Sequence, residues 1–197
     1  MQGRLAELIP LITEVADQTS VPSFRAALAL AYLEGGDEIA AGQIIDQAAS
    51  GAFVFAEDIS WCDTMAIYSA VAIELGHPAH AGPLFERLAP FHEQVPHDGL
   101  IPLQPIAMYL GGLATVLGRY DEAERYFEEA SELNSRGGMR FAEAQTNLLW
   151  SRMLHTRGEH NDDERARDIL EQARSSAAAH GYAMVERRAN LELSNLT

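Results

Sequence analysis

Cys62 is the single cysteine of the chain, so no disulfide can form within it, which fits a reducing cytoplasm. No stretch reaches the roughly 18 uninterrupted apolar residues of a membrane span. The opening MQGRLAELIP has neither the apolar core nor the cleavage site of a signal peptide. A cytoplasmic chain without membrane contact is therefore expected. Basic residues are scarce, 14 against 29 acidic ones, for a net charge of −15. That balance has the wrong sign for nucleic acid or an anionic membrane, since phosphate binding is dominated by cationic side chains. Its plain consequence is solubility, and its sharper one is a basic partner surface. Val, Ile and Thr are few beside abundant Ala, which favours helix over sheet.

The signatures of catalysis and metal binding are missing as well. There is no GxxxxGK[ST], no strand-borne GxGxxG, no HExxH and no GxSxG. Gly111-Gly112 falls inside a helical pattern and Gly137-Gly138 stops one, so neither cradles phosphate. His77, His80, His92 and His97 do not converge with Cys62 or with carboxylates at zinc-ligand spacing, and no metal or other cofactor is expected. Asn161-Asp162-Asp163-Glu164 lacks the alternation of a calcium loop and reads as an acidic helix start. His97-Asp98 is the least poor catalytic pair, yet no nucleophile or oxyanion donor stands beside it, so no catalytic residue is assigned. The acids Glu122, Glu124, Glu128, Glu129 and Glu132 read as a solvated face, with Asp121 pairing weakly to Arg125. Trp61, Tyr68, Tyr109 and Trp150 read as core, and Cys62 as a small buried apolar residue.

What is present is helix. An apolar pattern with Pro10 inside it covers 3–17, and further helices follow at about 22–34, 37–49, 58–75, 78–89, 102–117, 120–135, 139–156, 163–180 and 182–195. Pro22 and Pro78 stand at helix starts. Gly36, Gly76, Gly118, Gly137, Gly158 and Gly181 stand at helix ends, and the one sizeable irregular piece is His92 to Leu103.

The turns repeat. Seven residues before Gly36, Gly76 and Gly118 stand small residues, Ala29, Ser69 and Gly111. Five after come Ala41, Ala81 and Ala123, nine after Ile45, Phe85 and Phe127, and twelve after Ala48, Leu88 and Ala130. Ser151 and Gly158 begin a fourth copy, in which Ala166, Leu170 and Ala173 fall into register if three residues are inserted in the turn Glu159–Asp163. A small residue on each helix and a bulky one in the seam describe helix pairs that cross closely.

The stretch YLGGLATVLGRYDEAERYFEEASELN (residues 109–134) resembles a tetratricopeptide-type (TPR-like) helical hairpin. The resemblance implies an all-α fold of about ten helices, its antiparallel hairpins stacked as a right-handed superhelix. The spacing near forty residues exceeds the usual 34, which places extra length in the links 50–60 and 91–103. One repeat domain is expected over 1–197: hairpins 22–49, 58–89, 102–135 and 139–180, flanked by orphan helices 3–17 and 182–195. The orphans fit a segment of a longer array; the alternative is that they cap a small complete one. The run LQPIAMYLGG to HTRG, with YLG, LGRYDEAERYFEEA and ELNSRGGMRF, is similar to the C-terminal repeat region of bacterial signal-transduction ATPases carrying adenylate-cyclase-like or LuxR-type domains. That similarity implies a regulatory role in signalling or transcription. No ATPase, cyclase or DNA-binding part is visible in the chain itself.

Arrays of this type hold ligands on a concave face formed by the first helix of each hairpin. The repeat register puts Ser23, Ala26, Leu30, Asp63, Ala66, Ala70, Met108, Gly112, Thr115, Gln145, Leu148, Arg152 and His155 on it. Asp63, Met108, Gly112, Gln145, Arg152 and His155 are the candidate binding residues. The leading expectation is a non-enzymatic interaction module taking a peptide or amphipathic helix in this groove. Its unpaired terminal helices also offer a route to a homodimer. The alternative is a sensor that takes a small-molecule effector in the same groove, and the third reading is a helical enzyme built on His97-Asp98.

Overall fold

The structure is a computed structural model that describes residues 5–96 and 104–196. It is all-α, with ten α-helices and no strand among the described residues. They are α1 (Ile9–Gln18), α2 (Pro22–Glu34), α3 (Glu38–Ser50), α4 (Trp61–Leu75), α5 (Pro78–Leu88), α6 (Ile106–Val116), α7 (Tyr120–Gly137), α8 (Arg140–Arg157), α9 (Asp162–His180) and α10 (Ala183–Asn195). Residues 97–103, including the His97-Asp98 pair, lie outside the described residues, as does Gly3.

Local chemistry sets the helix ends. Pro22 and Pro78 open α2 and α5, where an absent N–H costs nothing. The Asp37 carboxylate caps α3 by accepting from the Ala40 N–H at 3.0 Å. Pro10 splits the expected first helix into a 3-10 turn, Leu5–Leu8, and α1, in whose first turn the proline sits. A proline cannot donate to the carbonyl four residues back, so the α-helical ladder begins only at Ile9. Gly118 turns α6 into α7 with φ +71°, and an added Cβ there would meet nothing within 4 Å. The chain needs its left-handed backbone rather than its small size. One expected stop moves by a residue: α7 runs through Gly137, and Gly138, at φ +63°, takes the left-handed cap.

The repeated positions are the packed ones. Ala41, Ala81, Ala123 and Ala166 are each wholly buried, and Ala29, Ser69 and Ser151 are buried opposite them. Ile45, Phe85, Phe127 and Leu170 fill the seams. At Gly111 an added Cβ would stand 2.7 Å from the Phe127 ring, so a bare backbone lets α6 lie against α7. Each helix packs on the next in the chain, and α2, α4, α6, α8 and α10 also pack on one another in succession. The even-numbered helices thus form an unbroken inner row, with α3 touching α5 outside it.

The link between α3 and α4 is part of the core. Ala52 and Phe53 both take left-handed backbone, φ 51° and 52°, and this turns the Phe53 ring inward. Phe53 is fully buried edge-on to Tyr68, and Phe55 stacks on the same ring at 5.8 Å. Two left-handed non-glycine residues in a row are costly, and burial of a whole phenylalanine offsets them.

Candidate functional site

The inner row borders a partly open cavity of about 290 Å³. Its walls come from all five even-numbered helices: Leu30, Leu33 and Glu34 on α2, Ile67, Ala70, Ile73 and Glu74 on α4, and Met108 and Tyr109 on α6. Helix α8 adds Phe141, Gln145, Leu148, Leu149 and Arg152, α10 adds Met184 and Arg188, and Gln104 enters from the link before α6. The lining is mostly apolar with a few convergent polar groups, the usual make-up of a small-molecule site.

The polar groups fall into two sets. In the first, Tyr109 Oη donates to Gln104 Oε1 at 2.6 Å, and Gln104 Nε2 donates to Gln145 Oε1. The amide of Gln145 is thereby turned with its N–H2 outward from this chain of bonds. Burial pushes the Tyr109 hydroxyl above the range where phenols ionise, aided by the charge of Asp63, so it acts as a neutral donor. In the second set, Glu74 Oε1 accepts from Arg188 Nη1 at 2.9 Å and from Arg152 Nη1 at 3.1 Å. Arg152 Nε donates in turn to Glu192 Oε1 at 2.5 Å. Burial, with Glu74 nearby, pushes the Glu192 carboxyl up against the pull of Arg152. Burial alone would weaken the Arg152 cation, but Glu74 and Glu192 hold its proton more tightly than usual. This quartet ties α4 to α8 and α10 across one side of the cavity.

Three of the six sequence-derived candidates, Met108, Gln145 and Arg152, come together on the cavity wall. The other three lie elsewhere. Gly112 faces Ile73, where an added Cβ would be 2.5 Å from Cδ1, so its smallness serves the α4–α6 crossing. Asp63 is buried in the first turn of α4, close enough to Tyr109 and Cys62 to raise both; Cys62 rises to about 11, with burial as the larger cause. His155 points to α9, where Nδ1 meets Asp163 Oδ1 at 2.9 Å on an exposed surface. The register did not reach Glu34, Glu74 and Arg188, because Glu34 and Glu74 sit at or next to helix ends and Arg188 on the last helix, outside the repeated positions.

The remaining charged clusters serve as fastenings. Arg157, its side chain 8% exposed, binds both oxygens of Asp162 at 2.8 Å and donates to Glu124 at 2.6 Å, and Arg165 also pairs with Glu124. This locks α7, α8 and α9 together and accounts for the three extra residues in the turn, which bring Asp162 under Arg157. Arg125 pairs with Glu122 at 3.9 Å, where Asp121 was the expected partner. His80 is buried with Nε2 2.7 Å from Asp46 Oδ1, joining α5 to α3, and its ring meets His77 edge-on. Among the described residues no three His, Cys, Asp or Glu side chains gather as a metal would need. No described helix is long and apolar enough to cross a membrane. Set against protein-family models, curated proteins and solved structures, the chain matches none.

Proposed function

We propose that this chain is a non-catalytic regulatory module of TPR-like repeats, stacked as a right-handed superhelix, that binds a small-molecule effector on its inner face. The bacterial signalling and transcriptional role implied by the sequence resemblance is part of the same proposal. The observation that carries it is the cavity whose wall is shared by α2, α4, α6, α8 and α10. A ligand there touches every inner helix at once, so its binding energy acts on the relative placement of all the hairpins. The size of the cavity supports a small molecule over a peptide as its occupant. An α-helix with its side chains is about 10 Å across. Space of about 290 Å³, bordered on one side by the Glu74 bridges, matches a compact ligand more closely than a helix of that width.

Thermal-shift screening against sugars, nucleotides, amino acids and small amines tests the proposal. Stabilisation by one class, with saturation, is the expected result. Failure of every class would remove the effector reading.

Self-association is a second reading with its own observation. Leu11 on α1 and Leu191 on α10, 57% and 64% exposed, leave large apolar side chains bare on both terminal helices. A light-scattering mass of one chain throughout the micromolar range would count against it.

A further inference from the structure

We infer that the ligand of this cavity is a compact organic cation, an ammonium or guanidinium group on an apolar body, and that Glu34 is the residue that holds its charge. The inference deepens the effector reading and rests on it. Five charged side chains stand at the polar side: Glu34, Glu74, Arg152 and Arg188 line the cavity, and Glu192 lies behind Arg152. Both arginines are committed, Arg188 to Glu74 and Arg152 to Glu74 and Glu192. That leaves one carboxylate over. Glu34 makes no ion pair among the described residues, and its Oε2 is out of contact with solvent and has no hydrogen-bond partner.

The local structure cannot supply what Glu34 lacks. It is the last residue of α2, where the backbone presents carbonyls rather than N–H groups and the helix dipole is negative. The next two N–H groups, of Gly35 and Gly36, are already bonded to Ala31 and Leu33. Near the negative end of a helix, a carboxylate oxygen shut off from water and without a donor is unfavourable, and a cation arriving from outside would relieve it. The protein as a whole favours the same sign, because a net charge of −15 concentrates cations and repels anions. The rest of the wall sets the body of the ligand. Leu30, Leu33, Ile73 and Leu149 are apolar, and Met108 and Met184 are flexible enough to close around various shapes. A volume of about 290 Å³ limits that body to one ring or a short branched chain.

The test is isothermal titration of three probes of similar shape: phenethylamine, uncharged 2-phenylethanol and anionic 3-phenylpropionate, with isopentylamine and agmatine as further cations. Each is titrated into the wild type, Glu34→Gln and the exposed control Glu38→Gln. Expected are binding of at least one cation to the wild type and the control, at least tenfold weaker binding to Glu34→Gln, and weak or no binding of the neutral and anionic probes. Methyl NMR of the wild type gives a second readout that does not depend on the variant folding. The bound cation should shift Met108 and Met184 and leave the buried Met65 and Met153, which are off the cavity wall, unmoved. If the neutral or anionic probe binds as well as the cations, or Glu34→Gln binds a cation unchanged, the charge assignment is wrong while the effector reading stands. If no probe of any charge binds and the broader screen is silent too, both fall together.

Discussion

Glu74 on α4 and Arg188 on α10 are 114 residues apart in the chain, and their side chains meet at 2.9 Å. Arg152 reaches the same carboxylate oxygen at 3.1 Å. Nearly all other contacts join helices that are neighbours in the chain or one removed, so this bridge is what links the first hairpins to the last helix. Its side chains are only partly shielded, which sets its strength. Glu74→Ala should cost about 1–2 kcal/mol by denaturant unfolding, and a double-mutant cycle with Arg188→Ala should give a coupling of roughly 0.5–1 kcal/mol that shrinks in high salt. A coupling of zero would mean that the inner row closes by apolar packing alone.

The Arg157 lock should matter more, because Arg157 and Asp162 are both shielded, their side chains 8% and 2% exposed. Arg157→Leu leaves Asp162 without its main partner and Glu124 with only Arg165, a loss of about 3 kcal/mol or more by equilibrium unfolding. A loss under 1 kcal/mol would show that water reaches the carboxylates.

The same lock predicts a pH dependence. The hydrogen bond from Arg157 holds the Asp162 carboxyl below its ordinary value of 3.8, despite burial. For Glu124 burial alone would raise the carboxyl, but Arg165 and Arg157 bring it below its ordinary 4.5. Both folded values lie under the unfolded ones, so the stabilisation is complete above about pH 4.5 and drains away as pH falls through the depressed folded values. Asp162→Asn should flatten the fall in Tm between pH 5 and pH 3 compared with the wild type; an unchanged profile would place the acid sensitivity elsewhere.

Glycines divide by what they do. Gly111→Ala should destabilise by about 1–3 kcal/mol, because the new Cβ enters the Phe127 ring and outweighs the roughly 1 kcal/mol of helix propensity gained. Gly118→Ala should cost about 1 kcal/mol through backbone strain at φ +71°. Gly42→Ala, in the middle of α3 with nothing within 4 Å of the new Cβ, should stabilise by about 0.5–1 kcal/mol. Chemical denaturation of the three variants side by side checks the order, and a Gly111→Ala protein as stable as the wild type would contradict the close α6–α7 crossing.

The helix count and the recurring Ala41, Ala81 and Ala123 were legible because close helix crossings demand small residues at fixed offsets from each turn, and such a demand is written in sequence. Met108, Gln145 and Arg152 followed from that register. What it did not convey is the contact of Glu74 with α10, 114 residues away, or the exposed pairing of His155 with Asp163. Gly112 shows the ambiguity of a small residue: the same absence of bulk that suggests room for a ligand serves here to admit Ile73. Phe53 gave no periodic signal at all, because its burial depends on two left-handed residues in a link.

All fourteen basic residues are arginines, since the chain contains no lysine. The Glu74 fork needs this, for one guanidinium can bond two carboxylates through separate N–H groups in fixed directions while an ammonium acts as a point charge. Because its walls are drawn from five helices spread between Leu30 and Arg188, the cavity belongs to no single hairpin. Cutting the chain at any inter-hairpin link and separating the pieces would divide that wall between them, so ligand affinity would register the integrity of the assembled row.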